Sequence, residues 1–195
     1  MLQRAASSPG AKIPMKGRPA LLRDILYALA LLVFLVGIRF FVCEPVRVKG
    51  GSMLPTLKNK EWLWVSKLDY RLHAPRRGDV VICYFPGRYM DPWKFFRQYF
   101  VKRIVGLPGE TIAIEEGVVL INGEPLNEPY LDPSRIRYRR TMEARTLGDD
   151  EYFVMGDNRD SSNDSRRIGP ITGDMLVGKV QHVIYPFDKI RPISK

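Results

Sequence analysis

The sequence predicts a mostly β, complex antiparallel domain carried behind a single N-terminal transmembrane helix. Three observations predict it. The first is an apolar stretch, Ile25–Cys43, preceded by a basic flank. Its 19 residues make about 28 Å of helix, roughly the thickness of a bilayer core. The second is a series of short β-favouring runs after residue 44, punctuated by glycine, proline and Asn-Gly pairs. The third is that no other long stretch keeps a 3.6-residue apolar period.

Taken in order, residues 1–24 form a basic tail with five basic side chains against Asp24, and Pro9, Gly10, Pro14, Gly17 and Pro19 set against regular structure. Residues 25–43 are the anchor. No small-x-small cleavage pattern follows it, so it is expected to stay uncleaved. The positive-inside bias puts the tail in the cytoplasm and residues 44–195 on the far side. Within that exported domain, Val46–Val48, Trp62–Val65, Asp79–Tyr84, Glu151–Met155 and Val177–Tyr185 read as strands. Thr111–Ile114 and Val118–Ile121 flank a Glu115-Glu116-Gly117 turn and open a β-hairpin and loop insert over 111–150. Residues 84–100 hold eight aromatic side chains interleaved with Arg88, Lys94 and Arg97, broken into loops by Pro86, Gly87 and Pro92. Such a stretch suits a membrane interface. It would also suit single-stranded nucleic acid, but an exported domain meets lipid, so no nucleic-acid partner is expected.

Composition narrows the function. With 45% hydrophobic and 27% charged residues the chain is not a disordered one. Two cysteines and two histidines exclude a disulfide framework and leave too few ligands for a Cys/His zinc site, so no metal and no cofactor are expected. Glycine-rich nucleotide-binding runs are absent from the sequence. The net charge of +10 favours an anionic partner such as a membrane surface.

Three segments can carry chemistry. Gly50-Gly51-Ser52-Met53-Leu54-Pro55 is a sharp turn that exposes a serine hydroxyl beside free backbone N–H groups. In Tyr99–Gly106, read as a strand, Phe100, Lys102 and Ile104 share one face. Apolar neighbours disfavour the Lys102 ammonium, and that matters because an ordinary lysine is neutral in only about 1 in 2,500 molecules at pH 7. The third segment, Gly156–Arg166, has no apolar side chain and follows Tyr152-Phe153-Val154-Met155. It lacks the glutamate of a calcium loop and reads as a hydrogen-bonded loop of Asx and Ser turns. His73 and His182 have no Gly-x-Ser-x-Gly elbow to serve, so a histidine triad is discounted.

These segments, in this order behind one anchor, resemble the type I signal peptidases. The matching runs are GGSMLPTL at 50–57, RGDVV at 77–81, VKRIVGLPGE at 101–110 and GDNRDSSNDSR at 156–166. The resemblance implies a signal-peptidase-like β catalytic domain in two parts and a Ser–Lys dyad in place of a triad. It makes Ser52 the nucleophile and Lys102 the general base. Ser162 and Asp164 become residues that orient the lysine, and Arg103 with Asp157 a structural ion pair. Val46, Val48 and Gly50 fall at substrate-binding positions, with pockets for small side chains; some members have a serine where this chain has Gly50. The implied substrates are precursor proteins bearing signal peptides. The implied site is the outer face of a cell membrane, the inner or plasma membrane, or a thylakoid or other organellar membrane. The rival from another class is a non-catalytic membrane-anchored binding module with a basic aromatic surface.

Overall fold

The computed structural model describes residues 18–90, 93, 97–137 and 139–193. Most of the basic tail, and Lys94, Phe95 and Phe96 of the aromatic stretch, lie outside these. The first unit of the chain ends at Ile38 and holds most of the helix α1 (Arg18–Phe41), which starts earlier than the apolar run, at Arg18-Pro19-Ala20. Successive residues Leu21, Leu22, Ile25 and Leu26 are all exposed, so this helix is apolar all round rather than on one stripe. Its segment Ala20–Gly37 is long and apolar enough to cross a membrane.

The second unit is β-rich. Its strands are β1 (Cys43–Arg47), β2 (Trp62–Ser66), β3 (Val80–Tyr89), β4 (Arg97–Gly106), β5 (Thr111–Glu115), β6 (Val118–Ile121), β7 (Glu124–Pro125), β8 (Met142–Thr146), β9 (Glu151–Met155), β10 (Ile171–Thr172), β11 (Leu176–Tyr185) and β12 (Arg191–Pro192). Two one-turn helices, α2 (Asp69–Leu72) and α3 (Ser165–Ile168), interrupt them. Every described pairing is antiparallel. The larger sheet runs β1-β2-β11-β3-β4-β9-β10, with β12 on β11; the smaller runs β7-β6-β5-β8.

Alternation along β3 shows how the core is built. Val80 and Ile82 pack with Met53, Leu57, Leu63 and Val65 on one side. Val81, Cys83 and Phe85 pack with Ile104, Tyr152 and Val154 on the other. Both faces are covered, which is why the run reads as continuously apolar. Burying each such side chain contributes about 1.5–3 kcal/mol. A third cluster joins the sheets: Ile112, Ile114 and Val119 meet Val105, Phe153 and Met155.

The aromatic stretch differs from the expectation in two ways. β3 continues through Pro86 and Gly87 to Tyr89, because a register shift between the Tyr84–Tyr99 and Tyr89–Arg97 pairs absorbs the proline as a bulge. Phe85 is core, packed edge-on against half-buried Phe100 at 5.4 Å, and is not part of an exposed aromatic surface. Met90, Trp93 and Tyr99 do remain exposed.

Candidate active site

Ser52 sits in the turn that follows β1. Gly50 has φ of +92°, a conformation that side-chain-bearing residues rarely adopt, and this turns the chain out of the strand. Met53 and Leu57 then plunge into the core at 2% and 0% exposure, and the Leu57 N–H donates to the Met53 carbonyl at 2.8 Å. Val48, 5% exposed in the same core cluster, precedes the turn, which is thus anchored on both sides of the serine.

Lys102 comes from β4, where the ladder pairs it with Val81. It is 2% exposed. A one-residue slip would exchange it for Arg103, and the buried Ile104 and Val105, with half-buried Val101, hold the register. Lys102 Nζ donates to Ser52 Oγ at 3.0 Å. Burial lowers its pKa below the ordinary lysine value, and the nearby Asp164 and Asp157 carboxylates oppose that shift only in part. Cys83, also fully buried on the same face, has its thiol pushed up to about 12 by burial. It stays neutral and sets no anion beside the lysine.

The polar loop 156–166 closes around this pair. Arg103 and Asp157 form a two-pronged ion pair at 3.0 and 2.8 Å with both side chains sealed from solvent. Five segments meet there. The Gly78 carbonyl accepts from Arg103 at 2.8 Å, the Thr56 hydroxyl donates to Asp157, and the Tyr130 ring stacks 3.8 Å from the guanidinium. Asp164 lies fully buried at the start of α3. Burial alone would raise its pKa, but the Arg166 guanidinium and the Gly156 N–H hold it below the usual carboxylate range. The Ser162 hydroxyl is close to Asp164, yet among the described residues it makes no hydrogen bond.

A cleft of about 320 Å³ opens beside Ser52, lined by Val46, Val48, Gly50, Ile82, Tyr99 and Val101 among others. Three strands separate β1 from β4 in the sheet, yet residues of both line this one cleft. A larger cavity of about 610 Å³ is lined by Thr56, Lys58, Glu61, Tyr130, Lys189 and Arg191, but its two hydroxyls, on Thr56 and Tyr130, donate to Asp157 and Glu128, so size does not mark the chemistry here. Neither histidine lines the serine cleft: His73 borders a separate cavity with Asp69 and Asp79, and His182 lies exposed on β11.

A family model described as signal peptidase, peptidase S26, matches residues 21–185. The chain belongs to that family. Two relatives carry the same name: a signal peptidase I of Leptolyngbya laminosa is 35% identical over 96% of this chain and 88% of its own. The signal peptidase I P of Bacillus subtilis subsp. natto is 37% identical over 87% of this chain and 90% of its own. A crystal structure of a signal peptidase I from Enterococcus faecalis V583 matches 55% of this chain and 97% of that one, at 28% identity and a TM-score of 0.43.

Several residues of this signal peptidase site were not singled out from sequence. Thr56, Tyr130 and the Glu128–Arg159 ion pair make these contacts across 27 to 101 positions of chain, and no local pattern announces them. Arg166 and Asn158 lie within the polar run, where composition gives no ground for choosing one polar side chain over another. Gly156 stands against Ser52 and Ser162 with no space for a side chain.

Proposed function

We propose that this chain is a membrane-bound serine endopeptidase that removes N-terminal signal peptides from exported precursors, with Ser52 as nucleophile and Lys102 as general base. Membership of the signal peptidase family supports the substrate class. The observation that carries the assignment of roles is the 3.0 Å hydrogen bond between Ser52 Oγ, at the edge of the cleft, and Nζ of Lys102, which is 2% exposed. Neutral Lys102 takes the Ser52 proton as Oγ attacks the scissile carbonyl carbon, and the carbonyl electrons move to oxygen. The resulting ammonium protonates the departing amine. Lys102 then deprotonates a water that attacks the acyl-enzyme and restores Ser52. The Ser52 N–H serves the developing oxyanion. No step is assigned to Gly50, which offers no hydroxyl. Arg103 and Asp157 hold β4 against the polar loop, and Asp164 with Ser162 borders the lysine.

Substrate recognition follows from the cleft. Val46 and Val48, with Ile82 and Val101 opposite, leave shallow apolar space that favours small side chains next to the cut. β1 is an edge strand, so an extended substrate can pair with its free side. We assign residues 1–24 to the cytoplasm, the helical residues 25–41 to the anchor and the β-rich domain that begins with Cys43, including the insert over 111–150, to the outer face of a cell or organellar membrane. A second aromatic surface supports lipid contact: Trp62 and Trp64 pair with Tyr185 and His182 on the exposed face of β2 and β11, near exposed Phe187 and Lys189.

The test is cleavage of a precursor with an Ala-x-Ala site, in detergent, by the wild type and by Ser52→Ala. The variant is expected to keep its thermal unfolding profile and to lose cleavage by at least about a thousandfold. Retained cleavage would remove Ser52 from the mechanism. If the wild type itself cuts nothing, the non-catalytic binding module becomes the better reading.

A further inference from the structure

Two hydrogen bonds run from one residue of the polar loop to the nucleophile turn. Asn158 Nδ2 donates to the Gly51 carbonyl at 3.0 Å. The Asn158 backbone N–H donates to the Ser52 carbonyl, also at 3.0 Å. These carbonyls belong to the peptide units on either side of Ser52. A trans peptide is planar, with its C=O and N–H pointing in opposite directions. Holding Gly51 O toward Asn158 therefore turns the Ser52 N–H away from the polar loop. Among the described residues, no backbone carbonyl accepts from that N–H. Hydrogen bonding at the oxygen end of an amide also polarises the unit and strengthens the donor at its other end.

We propose that Asn158 is a positioning residue for oxyanion stabilisation: its side-chain amide fixes and polarises the Gly51–Ser52 peptide unit, whose N–H receives the negative oxygen. The proposal rests on the reading of Ser52 as nucleophile. It assigns Asn158 no contact with substrate. The backbone bond to Ser52 O survives any side-chain change, so replacing the side chain releases one peptide unit while the turn stays tethered.

The test uses the full chain in detergent with the Ala-x-Ala precursor, comparing the wild type with Asn158→Leu, close in size but unable to donate, and Asn158→Ala. Two ligands separate the states. One is a peptide aldehyde, whose carbonyl carbon bonds Ser52 Oγ while the Ser52 proton passes to Lys102 and the carbonyl oxygen becomes anionic. The other is an uncleavable peptide of the same sequence. The expected result is a kcat about 10- to 100-fold lower with KM within about twofold. Aldehyde affinity falls by a similar factor, uncleavable-peptide affinity is unchanged, and the pH midpoint of cleavage does not move. An unchanged kcat overturns the proposal. So does equal weakening of both ligands, a shifted pH midpoint, or loss of folding in both variants, since each assigns Asn158 a different role. Ser52→Ala is run alongside: cleavage by that variant defeats the nucleophile reading itself, whereas a silent Asn158 with an inactive Ser52→Ala defeats only this inference.

Discussion

Gly156→Ala is expected to reduce precursor cleavage by about a hundredfold or more while leaving most of the fold in place. A methyl group at this position would lie 2.5 Å from the Ser52 carbonyl oxygen and 2.6 Å from Ser162 Cβ, and closer still to the Ser162 hydroxyl. Flexible side-chain tips can yield to such a clash; the Ser52 oxygen is backbone and cannot move without carrying the nucleophile. Displacing Ser52 by even part of an ångström lengthens its 3.0 Å bond to Lys102. Overpacking of this kind costs about 1–3 kcal/mol, less than the stability of an ordinary domain. Activity and thermal unfolding measured on the same preparation check the expectation. Activity within threefold of wild type would mean that the polar loop does not press on Ser52.

Arg103→Ala is expected to have the largest effect on stability. It strands the Asp157 carboxylate, at 1% exposure, with only the Thr56 hydroxyl left from the contacts described above. Removing one partner of a buried ion pair costs about 3–5 kcal/mol, because the remaining charge stays buried. In a chain of this size that lowers Tm on the order of 10 °C. Arg103→Lys keeps the charge but loses the fork that engages both Asp157 oxygens, so it should fall between. The decisive companion is the double variant Arg103→Met, Asp157→Leu, which removes both charges. It should unfold at a higher temperature than Arg103→Ala, measured by thermal unfolding in detergent. A double variant no more stable than the single would mean that the pair is not sealed from water.

The parts of this molecule that were legible in the sequence are those with short-range causes. Asp79–Tyr84 announces a strand buried on both faces by its unbroken apolar run, and Tyr99–Gly106 gives the face that Lys102 shares with Phe100 and Ile104. The turn at Gly50–Ser52 is visible because its glycines permit a conformation few residues adopt. What stayed hidden depends on folding bringing distant segments together. Tyr130 is 27 positions from Arg103, and its stacking follows from the path of the 126–135 segment, not from its local sequence. β10 and β12 are two residues each, too short for any alternation to register. Pro86 and Gly87 signalled a break because a proline cannot donate to a ladder, but a bulge needs no donor there. Within Gly156–Arg166, composition marked the loop, while only three-dimensional geometry separates Asn158, which reaches Gly51, from its exposed neighbour Ser161.

The central claim is that a buried, neutral Lys102 activates Ser52, and its most direct test is the pH dependence of precursor cleavage by the wild type and by Lys102→Met. Burial places the folded-state pKa of Lys102 below its unfolded value. Between those two values the unfolded chain binds more protons, so this lysine makes stability rise with pH, and protonation below the folded pKa removes the base. The account predicts wild-type activity that climbs with pH to a midpoint well under the ordinary lysine value of about 10.4. It predicts a folded Lys102→Met with no measurable cleavage at any pH and without the lysine's contribution to the stability slope. A folded Lys102→Met that still cuts the precursor would contradict it.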